Sequence, residues 1–254
     1  MENNLNPFFS IVIATFNSEA TISECLNSIK EQTYQNFEII IIDNCSKDKT
    51  IEIIKNFNFK NIKIIIEKDN GIYDAINKGI INAIGEFVCI LHSNDLYFDN
   101  TVLSNIQNVF NENNVQIIYG NLIYVKKKDI TLTVRKWKSK NYKTGLFYSG
   151  WNPPHPTFIV KRSTYLENEL YNNNLGNSAD IELMFRFLEI KKYTSFYLNK
   201  VFVKMRYGGA SNKNLISIIN QNLVIINFLK INKNFFKLIF FLVNKLFIRL
   251  NQFL

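Results

Sequence analysis

FEIIIID, the stretch from Phe37 to Asp43, is apolar at five of its seven positions. It is too short for a stable isolated helix, and it reads as a strand buried on both faces of a parallel sheet. Moving outward, Phe9 to Ala14 (FSIVIA) is a second β-branched run, and Glu19 to Gln32 between the two has helical spacing at Ile22, Leu26 and Ile29. On the other side, Asp48 to Phe57 reads as a helix, with Asp48 placed to favour its N-terminus. Ile62 to Glu67 reads as a strand, Tyr73 to Ala83 as a helix and, beyond Gly85, Phe87 to Leu91 as a fourth strand. This alternation predicts an α/β fold with a mostly parallel central sheet, right-handed crossovers and helices on both faces. Ligands in such sheets bind beyond the carboxyl ends of the strands. Polar clusters stand at all four ends: Thr15–Asn17, Asp43–Ser46, Glu67–Asp74 and His92–Asp95.

The second half is less regular. Gln116 to Val125 and Ile130 to Val134 read as strands around the basic turn Lys126–Lys128. Trp151 to Pro156 (WNPPHP) is a rigid loop leading to a strand at Thr157–Lys161. Ala179 to Glu189 reads as an amphipathic helix, Ser195 to Arg206 as a strand, and Gly208–Gly209 as a turn.

Composition narrows the classes. Of 254 residues, 47% are hydrophobic and 20% charged, which suits a packed domain and excludes a disordered chain. Eleven Lys and Arg lie beyond Glu189 with no carboxylate, while the first 189 residues carry 19 basic and 21 acidic groups. A nucleic-acid binder would be basic throughout, so no nucleic-acid partner is expected. Cys25, Cys45 and Cys89 are too scattered for a disulfide framework and read as small buried thiols in a reducing compartment. The start, MENNLNPFFS, lacks a secretory pattern. The longest apolar run of the tail, Leu238–Val243, is short of the roughly 20 residues that span a bilayer. A cytoplasmic location follows as the expectation.

The clusters carry the chemistry. Asp43 at a strand end suits the imide N–H of uracil or ribose hydroxyls; equally, Asp43 and Ser46 are ordinary turn formers. A carboxylate in His92-Ser93-Asn94-Asp95 suits a divalent cation bridging two phosphates, because Mg²⁺ and Mn²⁺ prefer hard oxygen ligands. No GxGxxG or GxxxxGK[ST] loop is present, which disfavours dinucleotide and P-loop chemistry.

FSIVIATFNS, IIIDNCSKDKT, EKDNGIYDAINKGI, ILHSND and, later, PHPTFIVKRSTY with ADIELMFRFL resemble in order and spacing the family 2 glycosyltransferases of the GT-A fold. The resemblance covers about residues 8 to 210 and is closest to bacterial members that build O-antigen, capsule or exopolysaccharide on a lipid carrier. It implies a catalytic domain over 1–212, with a nucleotide-sugar half at about 8–98 and an acceptor half at about 99–212, and a helical tail over 213–254. It implies that Thr15, Asn17 and Asp43 contact the uridine and that Asn70, Asp74, Asn77 and Lys78 lie near the nucleotide sugar. Ser93-Asn94-Asp95 stands at the Asp-x-Asp metal motif. There Asp95 would hold Mn²⁺ or Mg²⁺, and Asn94, a departure from the family pattern, would hydrogen-bond ribose. Asp180 matches the family's catalytic carboxylate, with Glu182 as fallback; its plain alternative is a helix N-cap. Asp99 reads as an auxiliary acid or a helix cap. His155 serves the acceptor or the structure, Trp151 stacks on a sugar or packs in the core, and Arg206 with Gly208–Gly209 closes on the diphosphate or simply ends a strand.

From Leu223 to Leu254 the cations Lys230, Lys233, Lys237, Lys245 and Arg249, with Asn234, Asn244 and Gln252, share one side of a helical projection. The remainder is apolar. That pattern predicts an interfacial helix over 222–254 on an anionic membrane surface, peripheral to the inner face of the cell membrane; packing on the catalytic domain or a second subunit is the alternative. The expected activity is inverting transfer of a hexose or N-acetylhexosamine from a UDP-sugar to a lipid-linked saccharide. The rivals are a sugar nucleotidyltransferase and a non-catalytic membrane adaptor.

Overall fold

The computed structural model describes residues 7–208, 215–231 and 234–253. The first half runs β1 (Phe9–Thr15), α1 (Ile22–Lys30), β2 (Phe37–Asp43), α2 (Thr50–Asn56), β3 (Ile62–Ile66), α3 (Ile72–Asn82) and β4 (Phe87–Ile90). The second continues with β5 (Asp95–Tyr97), α4 (Val102–Glu112), β6 (Ile117–Val125), β7 (Thr133–Trp137), β8 (Ile159–Lys161), α5 (Arg162–Leu166), α6 (Ala179–Phe185) and β9 (Ser195–Arg206). Two tail helices follow, α7 (Leu215–Phe228) and α8 (Phe235–Leu250). One sheet has the order β3-β2-β1-β4-β8-β6-β9-β5, with β7 on the far side of β6. The ladders of β1 with β2 and β4, β2 with β3, and β6 with β9 are parallel.

Every residue of β2 is buried. Successive side chains of a strand leave opposite faces, so β1 and β2 feed two cores. Phe9, Ile11, Ile13, Ile39 and Ile41 pack under α1 and α4, whereas Val12, Ile40 and Ile42 pack with α3, α6 and the tail. The lower end of the sheet is pinned by buried Glu38, which accepts from Ser10 Oγ and from the Ile84 and Gly85 amides at 2.7 and 3.2 Å. Gly85 is required there: a Cβ would meet the Phe9–Ser10 backbone at 2.7 Å.

Several elements differ from the sequence expectation. Helix α1 begins at Ile22 rather than Glu19, because residues 18–21 form a turn on the Ser18 carbonyl. Strand β7 lies at 133–137, not 130–134; Asp129 accepts the Thr131 amide and hydroxyl and holds 129–131 in a turn. Thr157 belongs to a 3₁₀ turn, its hydroxyl donating to the Pro154 carbonyl at 2.8 Å, so β8 starts at Ile159. The 179–189 helix is α-helical only to Phe185 and ends in a π turn over Arg186–Ile190. Cys45 is exposed at a turn with φ of 53°, not buried. Gly208 is a left-handed turn residue, while Gly209 lies outside the described residues.

The C-terminal tail forms two helices, as expected of a helical tail. Lys230 breaks it with φ of 55°, and Asn234 caps α8 by accepting the Lys237 amide at 3.0 Å, the role Asn favours at a helix start. Lys233 lies outside the described residues. Ile225, Ile226, Leu229, Ile231 and Phe241 join the core of the acceptor half. Phe241 and Gln252 face the protein, whereas Phe236, Phe240, Leu246 and Phe247 face outward, Phe236 at 82% exposure. Helix α8 therefore shows much of its apolar surface to the exterior, while Gln252 just beyond it turns inward.

Candidate active site

Register places Thr15 beside Asp43 at the carboxyl ends of β1 and β2. Asp43 is fully buried and its carboxylate accepts from Thr15 Oγ1 at 2.8 Å, Ser46 Oγ at 2.6 Å and the Ser46 amide at 2.7 Å. These bonds fold the 43–46 turn tightly against β1. Asn17, at φ of 46°, accepts the Lys47 amide at 2.9 Å and donates its own backbone N–H to Ser46. Asp43, expected at the uracil, is thus bonded within its own loop in this structure. Its lone pairs satisfy its own loop, as a buried carboxylate requires.

Beyond β4, Ser93 meets Ser18 at 2.8 Å and the chain turns into β5 with Asp95 at zero exposure. Arg206, at the end of β9, is itself buried. It donates to the Asn94 carbonyl at 2.6 Å and pairs with Glu24 of α1. Arg206 thus braces the Ser93–Asp95 turn from the end of β9. Burial pushes the Asp95 carboxyl well above the usual range, offset only in part by the Arg206 backbone N–H. Apart from that N–H, neither carboxylate oxygen has a hydrogen-bond partner among the described residues. Such an orphaned hard donor suits a divalent cation. No cluster of three His, Cys, Asp or Glu ligands exists among the described residues, so diphosphate oxygens and water would complete the shell.

The start of α3 supplies the third wall. Asp74 accepts the Asn70 amide at 2.9 Å and lies 3.4 Å from Lys78 Nζ, which also pairs with Glu67 at 3.1 Å. Asn77 exchanges two hydrogen bonds with the Tyr171 backbone, at 2.9 and 3.0 Å. Asn77 and Lys78 are therefore committed to fastening the 168–173 segment and the 67–74 turn, whereas Asn70 is exposed.

Asp180 lies in the first turn of α6, where its Oδ1 accepts the Ile181 amide at 2.7 Å. The Tyr73 hydroxyl of α3 donates to the same carboxylate. Burial pushes the Asp180 carboxyl up to about 6, against the Ile181 amide, Lys245 and Tyr73, which pull it down. Glu182 is paired with Arg186 at 2.9 Å and Asp99 accepts the Thr101 amide at 2.8 Å, so both are in structural use. Burial pushes the Tyr124 hydroxyl on β6 up, and the charges of Asp95 and Asp180 add to that shift.

His155 and Trp151, expected to serve the acceptor or the packing, are both buried. His155 Nε2 meets Tyr171 Oη at 2.8 Å, and its ring lies 6.1 Å from Tyr73 and 6.0 Å from His92. Burial pushes its imidazole down to about 3, leaving a neutral packing group. Trp151 is 4% exposed and packs against Tyr119, Tyr142 and Phe147. Both come from a Pro-rich loop that runs inside rather than over the surface.

Two groups went unread. Arg135 of β7 stacks 4.5 Å over Tyr124 and donates through Nε to Gln252 at 2.6 Å. Lys245 of α8 donates to Asn222 Oδ1 at 2.8 Å, and burial pushes its amine down to about 8.

Residues 10–171 match the profile of Glycosyl transferase family 2. The chain is a family 2 glycosyltransferase. This glycosyltransferase is 34% identical over 212 residues to a PGL/p-HBAD biosynthesis glycosyltransferase of Mycobacterium bovis, covering 81% of this chain and 80% of that one. Its GT-A fold is shared with S. aureus TarS 1-349 solved with UDP-GlcNAc, at TM-score 0.64 and 20% identity, over 86% of this chain and 66% of that one. It is shared also with the mannosyltransferase PcManGT of Pyrobaculum calidifontis solved with GDP-Man and Mn²⁺, at TM-score 0.63 and 17% identity, over 91% and 66%. The chain thus spans about two thirds of each of these solved chains, and 40% of a longer TarS chain.

Proposed function

We propose that this glycosyltransferase moves a hexose or N-acetylhexosamine from a UDP-sugar to a lipid-linked saccharide, with inversion at the anomeric carbon, in polysaccharide assembly on a lipid carrier. The observation that carries the reading is Asp180. It is a carboxylate in the first turn of α6, held by the Tyr73 hydroxyl, with its proton affinity raised by burial to about 6. A base with that proton affinity is ionised at neutral pH and accepts the acceptor hydroxyl's proton as the oxygen attacks. The new C–O bond forms on one face of the sugar, the bond to UDP breaks on the other, and the proton resides on Asp180. Asp95 would hold Mn²⁺ or Mg²⁺, which when bound supplies positive charge to the departing diphosphate. UDP bound to a GT-A structure of similar fold supports a UDP-sugar donor.

A panel of UDP- and GDP-sugars offered with a lipid-linked saccharide tests the donor. UDP release coupled to a new glycoside is the expected result. Pyrophosphate release from a nucleoside triphosphate and a sugar phosphate would establish a nucleotidyltransferase instead.

The membrane reading rests on α8. Its outward face carries Phe236, Phe240, Leu246 and Phe247, each more than half exposed, with Lys230 and Lys237 beside it. Apolar area with flanking cations suits the headgroup zone of anionic lipid. No helix among the described residues is long and apolar enough to cross a membrane. Sedimentation with phosphatidylglycerol vesicles is expected for the wild type and should fall at least roughly tenfold for Phe236→Glu/Phe240→Glu. Equal pelleting of the two would remove this face from membrane contact.

A further inference from the structure

Where α7 gives way to α8, the chain closes a cavity of about 370 Å³ against the 3₁₀ turn Leu146–Ser149. Pockets for small organic ligands hold roughly 300–1,000 Å³. Leu229, Ile231 and Phe240 give this one its apolar lining. Tyr148 supplies a hydroxyl, its ring set edge-on against Phe185 at 5.9 Å. The wall behind is fastened by the buried Glu189, which accepts the Gly145 amide at 2.9 Å and the Tyr142 hydroxyl at 2.6 Å.

Lys230 and Lys237 carry the charge of the cavity, and both stand where local preference opposes them. Lys230 has φ of 55° just past α7, a left-handed position that favours glycine. Lys237 lies in the first turn of α8, whose end is already positive. Among the described residues no ion pair engages either ammonium. No carboxylate follows Glu189 in the sequence, and Glu189 itself is spent on the wall. Two cations gathered against preference and left without a counter-charge fit an anionic ligand. The apolar lining continues outward. Phe240 lines the cavity, is 58% exposed, and lies one turn from Phe236 on the face proposed for lipid. A cationic seat thus opens directly onto a greasy surface.

We propose that this cavity binds the phosphate group of the lipid carrier that bears the acceptor saccharide: Lys230 and Lys237 hold its oxygens, Tyr148 donates to them, and the first carbons of the lipid lie against Leu229 and Phe240. This deepens the lipid-linked acceptor reading and rests on it.

Octyl phosphate, titrated calorimetrically into the full chain, is the direct probe. Inorganic phosphate and octyl glucoside supply the charge alone and the chain alone. Octyl phosphate should bind at least about tenfold more tightly than either. Lys230→Gln/Lys237→Gln, and Ser149→Trp, which fills the cavity, should each weaken it about tenfold. Lys230→Gly relieves the left-handed strain, so it should melt no lower than the wild type while losing octyl phosphate affinity, a split that a structural lysine would not produce. Inorganic phosphate binding as tightly marks a bare anion site, and octyl glucoside binding as tightly a merely apolar one. Unchanged affinity in Ser149→Trp places the ligand elsewhere. Each of these three results overturns the proposal. Octyl phosphate binding that passes all three, in a chain that transfers sugar to no lipid-linked acceptor, would fault the acceptor reading and not the site, so the two failures are told apart.

Discussion

Asp180→Asn should abolish transfer while leaving the donor bound. The amide keeps the shape of the side chain and its contact with the Ile181 amide, but it has no lone pair basic enough to take a proton from an alcohol. Loss of a general base costs about 10²–10⁴-fold in rate. UDP affinity, read by calorimetry or fluorescence, should stay within roughly twofold, since the variant removes an interaction made only in the transition state. The wild-type rate should itself fall as pH drops through about 6, tenfold per unit at the limit, because protonated Asp180 is inactive. Undiminished turnover in Asp180→Asn would remove the residue from this role.

The second large effect concerns Asp95. EDTA should lower activity and Mn²⁺ or Mg²⁺ restore it. Asp95→Asn should lose about 3 kcal/mol of transition-state stabilisation, roughly a hundredfold, with no recovery at millimolar metal. Folding provides the control. The wild-type side chain buries a carboxylate whose partner among the described residues is the Arg206 N–H, an unfavourable arrangement that the neutral amide relieves in part. The variant should therefore melt no lower than the wild type while failing to turn over. A rate indifferent to chelator would remove the metal-holding role from Asp95.

The parallel half was legible because its strands are buried on both faces and so read as unbroken apolar runs. The strand-end rule then located Thr15, Asp43 and Asp95. Helix α4 was missed although Val102, Leu103, Ile106, Val109 and Phe110 repeat at helical spacing, which is a usable signal. Strand β5 has three residues and carries no periodicity to detect. Side-chain commitments were harder. That Asn77 ties down the Tyr171 backbone, or that Arg206 braces Asn94, depends on partners about a hundred residues away. The tail projection correctly separated two faces, but a wheel does not say which one meets the protein. The apolar side suggested burial or lipid, while the inward turn of Lys245 and Gln252 depends on acceptors across the fold, Gln252 fastening the Arg135 guanidinium and the Lys136 amide.

That inward turn has a practical corollary for anyone producing the enzyme. Ten or so greasy residues on the outside of α8 invite truncation to improve yield, and the shortened chain would retain its whole nucleotide-facing half. It would also lose the Phe241 packing in the core and uncover the Arg135 stack. Detergent is the better remedy than the scissors, for a more soluble preparation obtained by cutting would be a crippled one.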